Sequence, residues 1–370
     1  MSEFKTEVVR ITVSEHPNAD RLEIANVGDY QSIVGKGTFE TGDLVAYIQE
    51  GSLVPEPILE ELNLTGKLAG SDRNRVKAVR LRGVLSQGIC YPARDGWEEG
   101  QDVSGELGIT KYEPPIPTNM QGDLYNGGGR RTVRYDIENL KRYPDVLQEG
   151  EEVVINEKLH GSFVCVGILC ERDAHPEFGR LAVSSKGLGG RGLVFKPDAP
   201  ANENNLYLRA ARQYDIVGRV DAMFESLKSP IMDESKTSLF ILGEVFGKGV
   251  QDLSYGADAG RGEIGFRFFD IFVRSESDPE GSYVGDEGLD IYASLLGLER
   301  VPTLYRGPYS RDVVRELTDG METVSGEETH LREGVVVKPV EERRDPKLGR
   351  VILKSVSGNY LTRKGGTEYN

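Results

Sequence analysis

Residues 156–167 read NEKLHGSFVCVG, with Lys158, His160 and Gly161 set between two apolar alternations. Upstream, EEVVINEKLHGS alternates apolar and polar residues as a half-buried strand does. Counting in twos from Val154 puts Asn156, Lys158 and His160 on one face, whereas Val153, Ile155 and Leu159 point toward a core. Gly161 then turns the chain into a second strand, SFVCVGIL. The lysine is expected at the end of a rigid sheet, beside a glycine that lets a ligand approach the backbone closely. Taken alone, the same pattern also describes a solvated surface lysine, the commoner fate of that residue.

Length and composition narrow the field. At 370 residues the chain exceeds one ordinary core and predicts about two or three domains. Residues 1–10, MSEFKTEVVR, lack the apolar core of a signal peptide, and nowhere do about 18 uncharged apolar residues run together. Neither export nor a membrane partner is expected, and a cytoplasmic location is. Cys90, Cys165 and Cys170 show no CxxC spacing, so neither a disulfide framework nor a zinc ribbon is indicated. A formal net charge of −15 excludes a protein that coats nucleic acid by bulk attraction. A phosphate-bearing partner must meet a local basic site. One candidate is RNRVKAVRLR, residues 73–82, which at strand period would set Arg73, Arg75 and Lys77 on one face, and Arg80 and Arg82 likewise; a charged strand edge that resists aggregation has the same pattern.

The chain divides where EPPIPTNMQGDLYNGGGRR concentrates proline, glycine and asparagine. The expected division is residues 1–115, a linker over 116–135, and a second domain over 136–370. In the first part, EVVRITVS, LEIANVG, YQSIVGKG, DLVAYIQEG and RVKAVRLRG read as strands of a small barrel. HPNADRLEIANVG, residues 16–28, opens one of them, with His16 to Asp20 shaping a turn. In the second part DIENLKRYP reads as a short amphipathic helix stopped by Pro144. Further along lie a glycine-rich loop, SSKGLGGRG, with Lys186 and Arg191; LFILGEVFGKGVQ with Glu244; FRFFDIFV with Phe269 and Asp270; EGVVVKP with Glu333 and Lys338; and VILKSVS with Lys354. Several strands that each end in a charge suggest one convergent polar site.

These runs carry a resemblance. KxHG at Lys158 to Gly161 resembles the nucleophile motif of the covalent nucleotidyltransferases, and the four runs with Glu244, Phe269, Glu333 and Lys354 resemble that superfamily's later motifs in their usual order. HPNADRL resembles a segment of OB modules that bind transfer RNA. Together the chain is similar to the RNA ligases that join an N-terminal OB module to a nucleotidyltransferase domain. The resemblance implies an α+β protein, an OB-like β-barrel followed by an ATP-grasp-like domain of antiparallel sheets with flanking helices. It implies an ATP-dependent ligase that seals 3′-hydroxyl and 5′-phosphate RNA ends through lysyl-AMP and adenylylated-RNA intermediates, at nicks in a duplex or an RNA/DNA hybrid, as a monomer serving RNA repair.

Roles follow from the same resemblance. Lys158 is the nucleophile, with Glu244 and Lys354 as further catalytic residues. Glu157, His160, Gly161, Lys186, Phe269, Asp270, Glu333 and Lys354 bind the nucleotide, and Glu244 and Glu333 hold Mg2+ or Mn2+. The nucleophile must be unprotonated, so Lys186, Lys354 and the metal are expected to lower the Lys158 pKa. Phe269 would stack on adenine, although an ordinary core aromatic fits its setting too, and Glu157 would accept from the adenine amine. Two positions depart from the family pattern: Lys186 stands where an arginine is frequent, and Val356 where many RNA ligases have a second lysine. Related readings are a DNA ligase or a capping guanylyltransferase, in which the OB domain normally follows the nucleotidyltransferase, and a non-catalytic RNA-binding protein. LGEVFGKG fails as a P-loop by its spacing, and GLGGRG fails as a dinucleotide fingerprint.

Overall fold

The computed structural model describes residues 4–227, 233–258 and 261–367. The chain forms two compact units. The first takes the residues up to Glu113 together with Glu138–Pro144 and Gly358–Lys364. Its strands Glu7–Arg10, Leu44–Ile48 and Ile89–Pro92 pair antiparallel, and Thr12–Glu15, Leu22–Val27 and Tyr30–Gly35 form a meander. Alternation buries Val8, Ala46, Ile48 and Tyr91 in one cluster and Ala25, Val45 and Cys90 in another, which Ile11 joins at the break between the first two strands. This is the expected small β-rich module.

Two local expectations fail here. Of RVKAVRLRG only Val79–Leu81 is a strand, paired with Val84–Ser86, so Arg73, Arg75 and Lys77 do not share a strand face. Arg73 takes a left-handed backbone (φ 55°), and the Arg75 guanidinium lies 3.6 Å above the Tyr112 ring. DIENLKRYP forms no α-helix; it gives a two-residue strand, Glu138–Asn139, and a 3-10 turn, Leu140–Arg142, in which the Asn139 side chain accepts the Lys141 N–H at 3.0 Å. A run that short before a proline cannot repay helix nucleation.

The second unit is built on strands in the order Leu124–Asn126, Leu193–Phe195, Leu181–Ser185, Ser162–Ile168, Thr237–Phe246, Gly265–Ser275 and Ser282–Tyr283. One face buries Val164, Val166, Leu239, Ile241 and Phe268 against the helices Leu206–Gln213, Ile216–Leu227 and Asp286–Leu296. The opposite face presents Cys165, Phe240, Leu242 and Phe272 to Val336 and Ile352. Val336 belongs to a second set, and Ile352 precedes one of its strands; in it Leu353–Val356, Gly334–Pro339, Glu152–Lys158 and Thr303–Pro308 lie side by side, each neighbour antiparallel. The α+β class is therefore observed. Residues 116–135, expected as a linker, instead supply the edge strand Leu124–Asn126 and the buried rings of Tyr125 and Tyr135.

Candidate functional site

The strand Glu152–Lys158 ends at the lysine, with Val153, Val154 and Ile155 wholly buried behind it. Gly334 pairs with both Lys158 and Val356, and Val336 with both Asn156 and Lys354. Directly opposed residues share a face, so Lys158 and Lys354 rise from the same side of the sheet. Lys158 Nζ donates to Glu333 Oε1 at 2.7 Å, with side-chain exposures of 22% and 11%. Burial pulls the Lys158 pKa down, but Glu333 and then Glu244 outweigh it, and the amine sits above its ordinary value. In place of the expected lowering by neighbouring cations, the charges that act on the amine here are the two carboxylates.

Glu244 lies across the cleft, opposite Phe163 and Arg267 on the long sheet. Burial pushes its carboxyl up to about 8 against the pull of Lys158; Glu333 adds to the rise and Lys186 opposes it. The exposed Lys186, first residue of a short helix, is therefore within electrostatic reach of the same group. Among the described residues no cluster of three or more His, Cys, Asp and Glu side chains could hold a metal. Glu244 and Glu333 remain a donor set that suits a hard cation sharing its shell with water and phosphate.

Glu157 lies on the other face of its strand and is 1% exposed. Its Oε2 accepts from the Thr323 backbone N–H at 2.9 Å and from the Thr323 hydroxyl at 2.6 Å. Its Oε1 is buried with no partner. A buried carboxylate oxygen without a donor is rare in folded proteins and marks a place for one. Burial raises the Glu157 pKa in spite of Thr323. The Tyr255 hydroxyl, also raised by burial, feels the charges of Glu333, Glu157 and Glu244.

Gly161 is required for space. A Cβ there would lie 2.2 Å from the Val245 carbonyl oxygen and 2.9 Å from Glu244 Cγ. The neighbour it admits is thus the adjacent strand of the protein, where a ligand was expected. His160 continues past the strand end; its Nε2 stands 2.7 Å from Asp252 Oδ1, and its backbone N–H donates to the Tyr255 hydroxyl at 2.7 Å. The ring is held by Asp252, and the backbone by Tyr255.

Phe269 is the extra residue at a bulge, since Leu242 pairs with Asp270 and Gly243 with Phe268. Bulges re-aim a side chain, and this one turns Phe269 toward Tyr135 and Phe163, at ring distances of 5.2 and 5.9 Å. The half-buried ring suits a stacking surface. Asp270, expected as a nucleotide contact, has both oxygens engaged within the protein. Its oxygens accept from Lys338 (2.8 Å), from both Arg350 terminal nitrogens (2.8 and 3.0 Å) and from the Tyr135 hydroxyl (2.7 Å). Burial alone would raise its pKa; Lys338 and then Arg350 hold it well below the usual carboxylate range. A carboxylate so fully engaged ties the two sheets together.

Thr323, Tyr255, Asp252, Tyr135 and Arg350 were not singled out from sequence. Each lies far along the chain from the group it serves, and no local pattern marks them. Phe163 was within reach, because a strand period of two from Gly161 puts it on the cleft side.

The RNA ligase family profile matches residues 151–356, and an OB-fold domain profile matches residues 6–93. No curated protein matches the chain by sequence. Solved structures of Naegleria gruberi RNA ligase share the fold: an apo form at TM-score 0.72 and 21% identity, covering 96% of both chains. A form with ATP and Mn gives 0.71 and 22%, covering 96% of this chain and 97% of that one. A form with AMP and Mn gives 0.72 and 22%, covering 97% and 98%. The ligase profile begins beside the lysine strand, ends with the strand that carries Lys354, and spans more than half of the 370 residues, so the chain belongs to the RNA ligase family, with an OB-fold module ahead of the ligase domain.

Proposed function

We propose that this RNA ligase uses ATP to join 3′-hydroxyl and 5′-phosphate RNA ends at nicks in a duplex, with Lys158 as the nucleophile, and that it serves RNA repair. The observation that carries the reading is the half-buried lysine at a strand end, paired with Glu333 beside Glu244 and next to a glutamate with one unpartnered oxygen. A divalent cation, Mg2+ or Mn2+, would be held by Glu244 and Glu333 and would supply charge neutralisation at the triphosphate. Once Glu333 is engaged elsewhere, Lys158 loses its main counter-charge, and the burial that pulls its pKa down prevails. The free amine attacks the α-phosphorus, forming a phosphoramidate and releasing pyrophosphate. AMP then passes to the RNA 5′-phosphate, and attack by the 3′-hydroxyl closes the strand and frees AMP. Lys354, on the Lys158 face, neutralises phosphate charge; Phe269 stacks on the base. ATP in the Naegleria gruberi ligase structures supports the choice of nucleotide.

The test is incubation with ATP labelled at its α-phosphate, a divalent metal and a GTP control, followed by denaturing electrophoresis. A labelled protein band from ATP supports the reading; a folded protein that stays unlabelled after pyrophosphate pretreatment overturns it. Glu157→Gln replaces an acceptor facing the adenine amine with a group that cannot serve Thr323 and the base together. The ATP concentration for half-maximal labelling should rise about 5- to 150-fold, from a loss of ~1–3 kcal/mol, and preference over GTP should narrow. Unchanged preference would remove Glu157 from base recognition. Gly161→Ala forces the strand end away from Val245. Labelling should slow about 100-fold in a protein that still folds, since displacement of a nucleophile by about 1 Å costs that much. A parental labelling rate would mean the loop absorbs the shift.

A further inference from the structure

The histidine of the HPN turn in the OB-fold module is buried, although Pro17 and Asn18 beside it are exposed. His16 is 7% exposed; its Nδ1 accepts the Asn18 backbone N–H at 3.1 Å, and its Nε2 lies 3.2 Å from the Leu81 carbonyl. An accepting Nδ1 leaves the proton on Nε2, which therefore donates to Leu81. Asn18 Nδ2 donates to the next carbonyl, that of Arg82, at 3.1 Å. Both bonds converge on the hairpin Val79–Leu81/Val84–Ser86, whose two connecting residues, Arg82 and Gly83, have φ of 48° and 87°. Positive φ at both positions makes the tight turn that matches strand twist, and arginine is an uncommon residue there. His16 and Asn18 hold that turn through its carbonyls.

The braced hairpin presents an unusual surface. Arg80 and Arg82 are exposed, and between and beside them Leu81 and Val79 are 40% and 46% exposed. Arg80 is oriented by bonds to the Gly83 carbonyl (3.1 Å) and Asn359 Oδ1 (2.9 Å). Residues 73–82 hold five cations and no carboxylate, in a chain of net charge −15. A merely solvated edge needs neither two exposed aliphatic side chains nor a histidine buried to fix its turn.

We propose that the hairpin 79–86 is the surface by which the module grips the phosphodiester backbone of its RNA, and that His16 and Asn18 are positioning residues which do not touch RNA. Arg80 and Arg82 meet phosphates, while Val79 and Leu81 lie against sugar edges. The inference rests on the RNA ligase reading above but is tested without ATP. In the full chain, binding of a fluorescent nicked RNA duplex is titrated at several salt concentrations. Arg80→Ala/Arg82→Ala should weaken binding tenfold or more and flatten the slope of log affinity against log salt by about 2, since each duplex phosphate contact contributes about 0.9. AMP labelling should stay at the parental rate. His16→Ala should weaken binding with the same unchanged labelling, and His16→Gln, which returns a donor to the Nε2 position, should restore it. Parental affinity and salt slope in the double arginine variant would overturn the proposal, as would a His16→Gln variant that binds no better than His16→Ala. Absence of AMP labelling in the parent would count against the ligase reading and leave the binding result standing by itself.

Discussion

Lys158→Ala should abolish transfer of AMP to the protein, a fall of at least about 1,000-fold, as removal of a covalent nucleophile does elsewhere. Sealing of a nicked RNA duplex that lacks a pre-adenylylated end should vanish with it. If the 5′ end is supplied already adenylylated, part of the sealing should return, because Lys158 is needed to make the activated end and other residues act on it afterward. The fold should survive. Val153, Val154 and Ile155 anchor the strand in the core, and the lysine side chain itself reaches solvent. Removing the amine leaves Glu333 beside Glu244, whose carboxyl burial already pushes up to about 8. Label that persists in a folded Lys158→Ala protein would eliminate the proposed nucleophile.

Asp270→Ala should act on stability. The change leaves Lys338 (3% exposed) and Arg350 (11%) between the sheets with Glu342 alone, one carboxylate that pairs with Arg350 and lies 3.9 Å from Lys338. Breaking a buried ion pair by removing one partner costs about 3–5 kcal/mol. For a unit of this size that lowers the thermal midpoint by about 10 °C. A midpoint near the parent's, together with a higher ATP requirement, would instead make Asp270 a nucleotide contact. The acid limb points the same way: Asp270 has a folded pKa below its unfolded value, so its contribution is present above the unfolded value of about 4 and is lost as pH falls further.

The contrast between Lys158 and Asp270 explains what could be read in advance. Lys158 sits in a period-two strand closed by glycine, and the reading of which residues flank it needed only neighbours. The same counting put Lys354 in a strand of its own, and pairing through Val336 brings the two to one face. Asp270 also lies in a clear strand, but its partners are 68, 80 and 135 positions away, and nothing in FRFFDIFV marks the aspartate as bound to them. His160 was assigned to the lysine's face by extending a strand that in fact stops at Lys158. The electrostatics were misjudged for a related reason. Cations that lie near in the motif list are visible in sequence, whereas the carboxylate that comes to 2.7 Å of the amine arrives from 175 residues on.

The first unit closes with residues 358–364, where Tyr360 is buried and Asn359 bonds to Arg80 across 279 positions. A ribosome that has finished the N-terminal module's strands has therefore not finished the module. Its last wall is synthesised only after the whole ligase domain up to Ser357, and the early strands must wait with that side open. Closing so long a loop is slow compared with pairing neighbours in sequence. Assembly of the OB-fold module should accordingly be the late event in the life of each new chain, and a truncation before residue 358 would damage the beginning of the protein as much as its end.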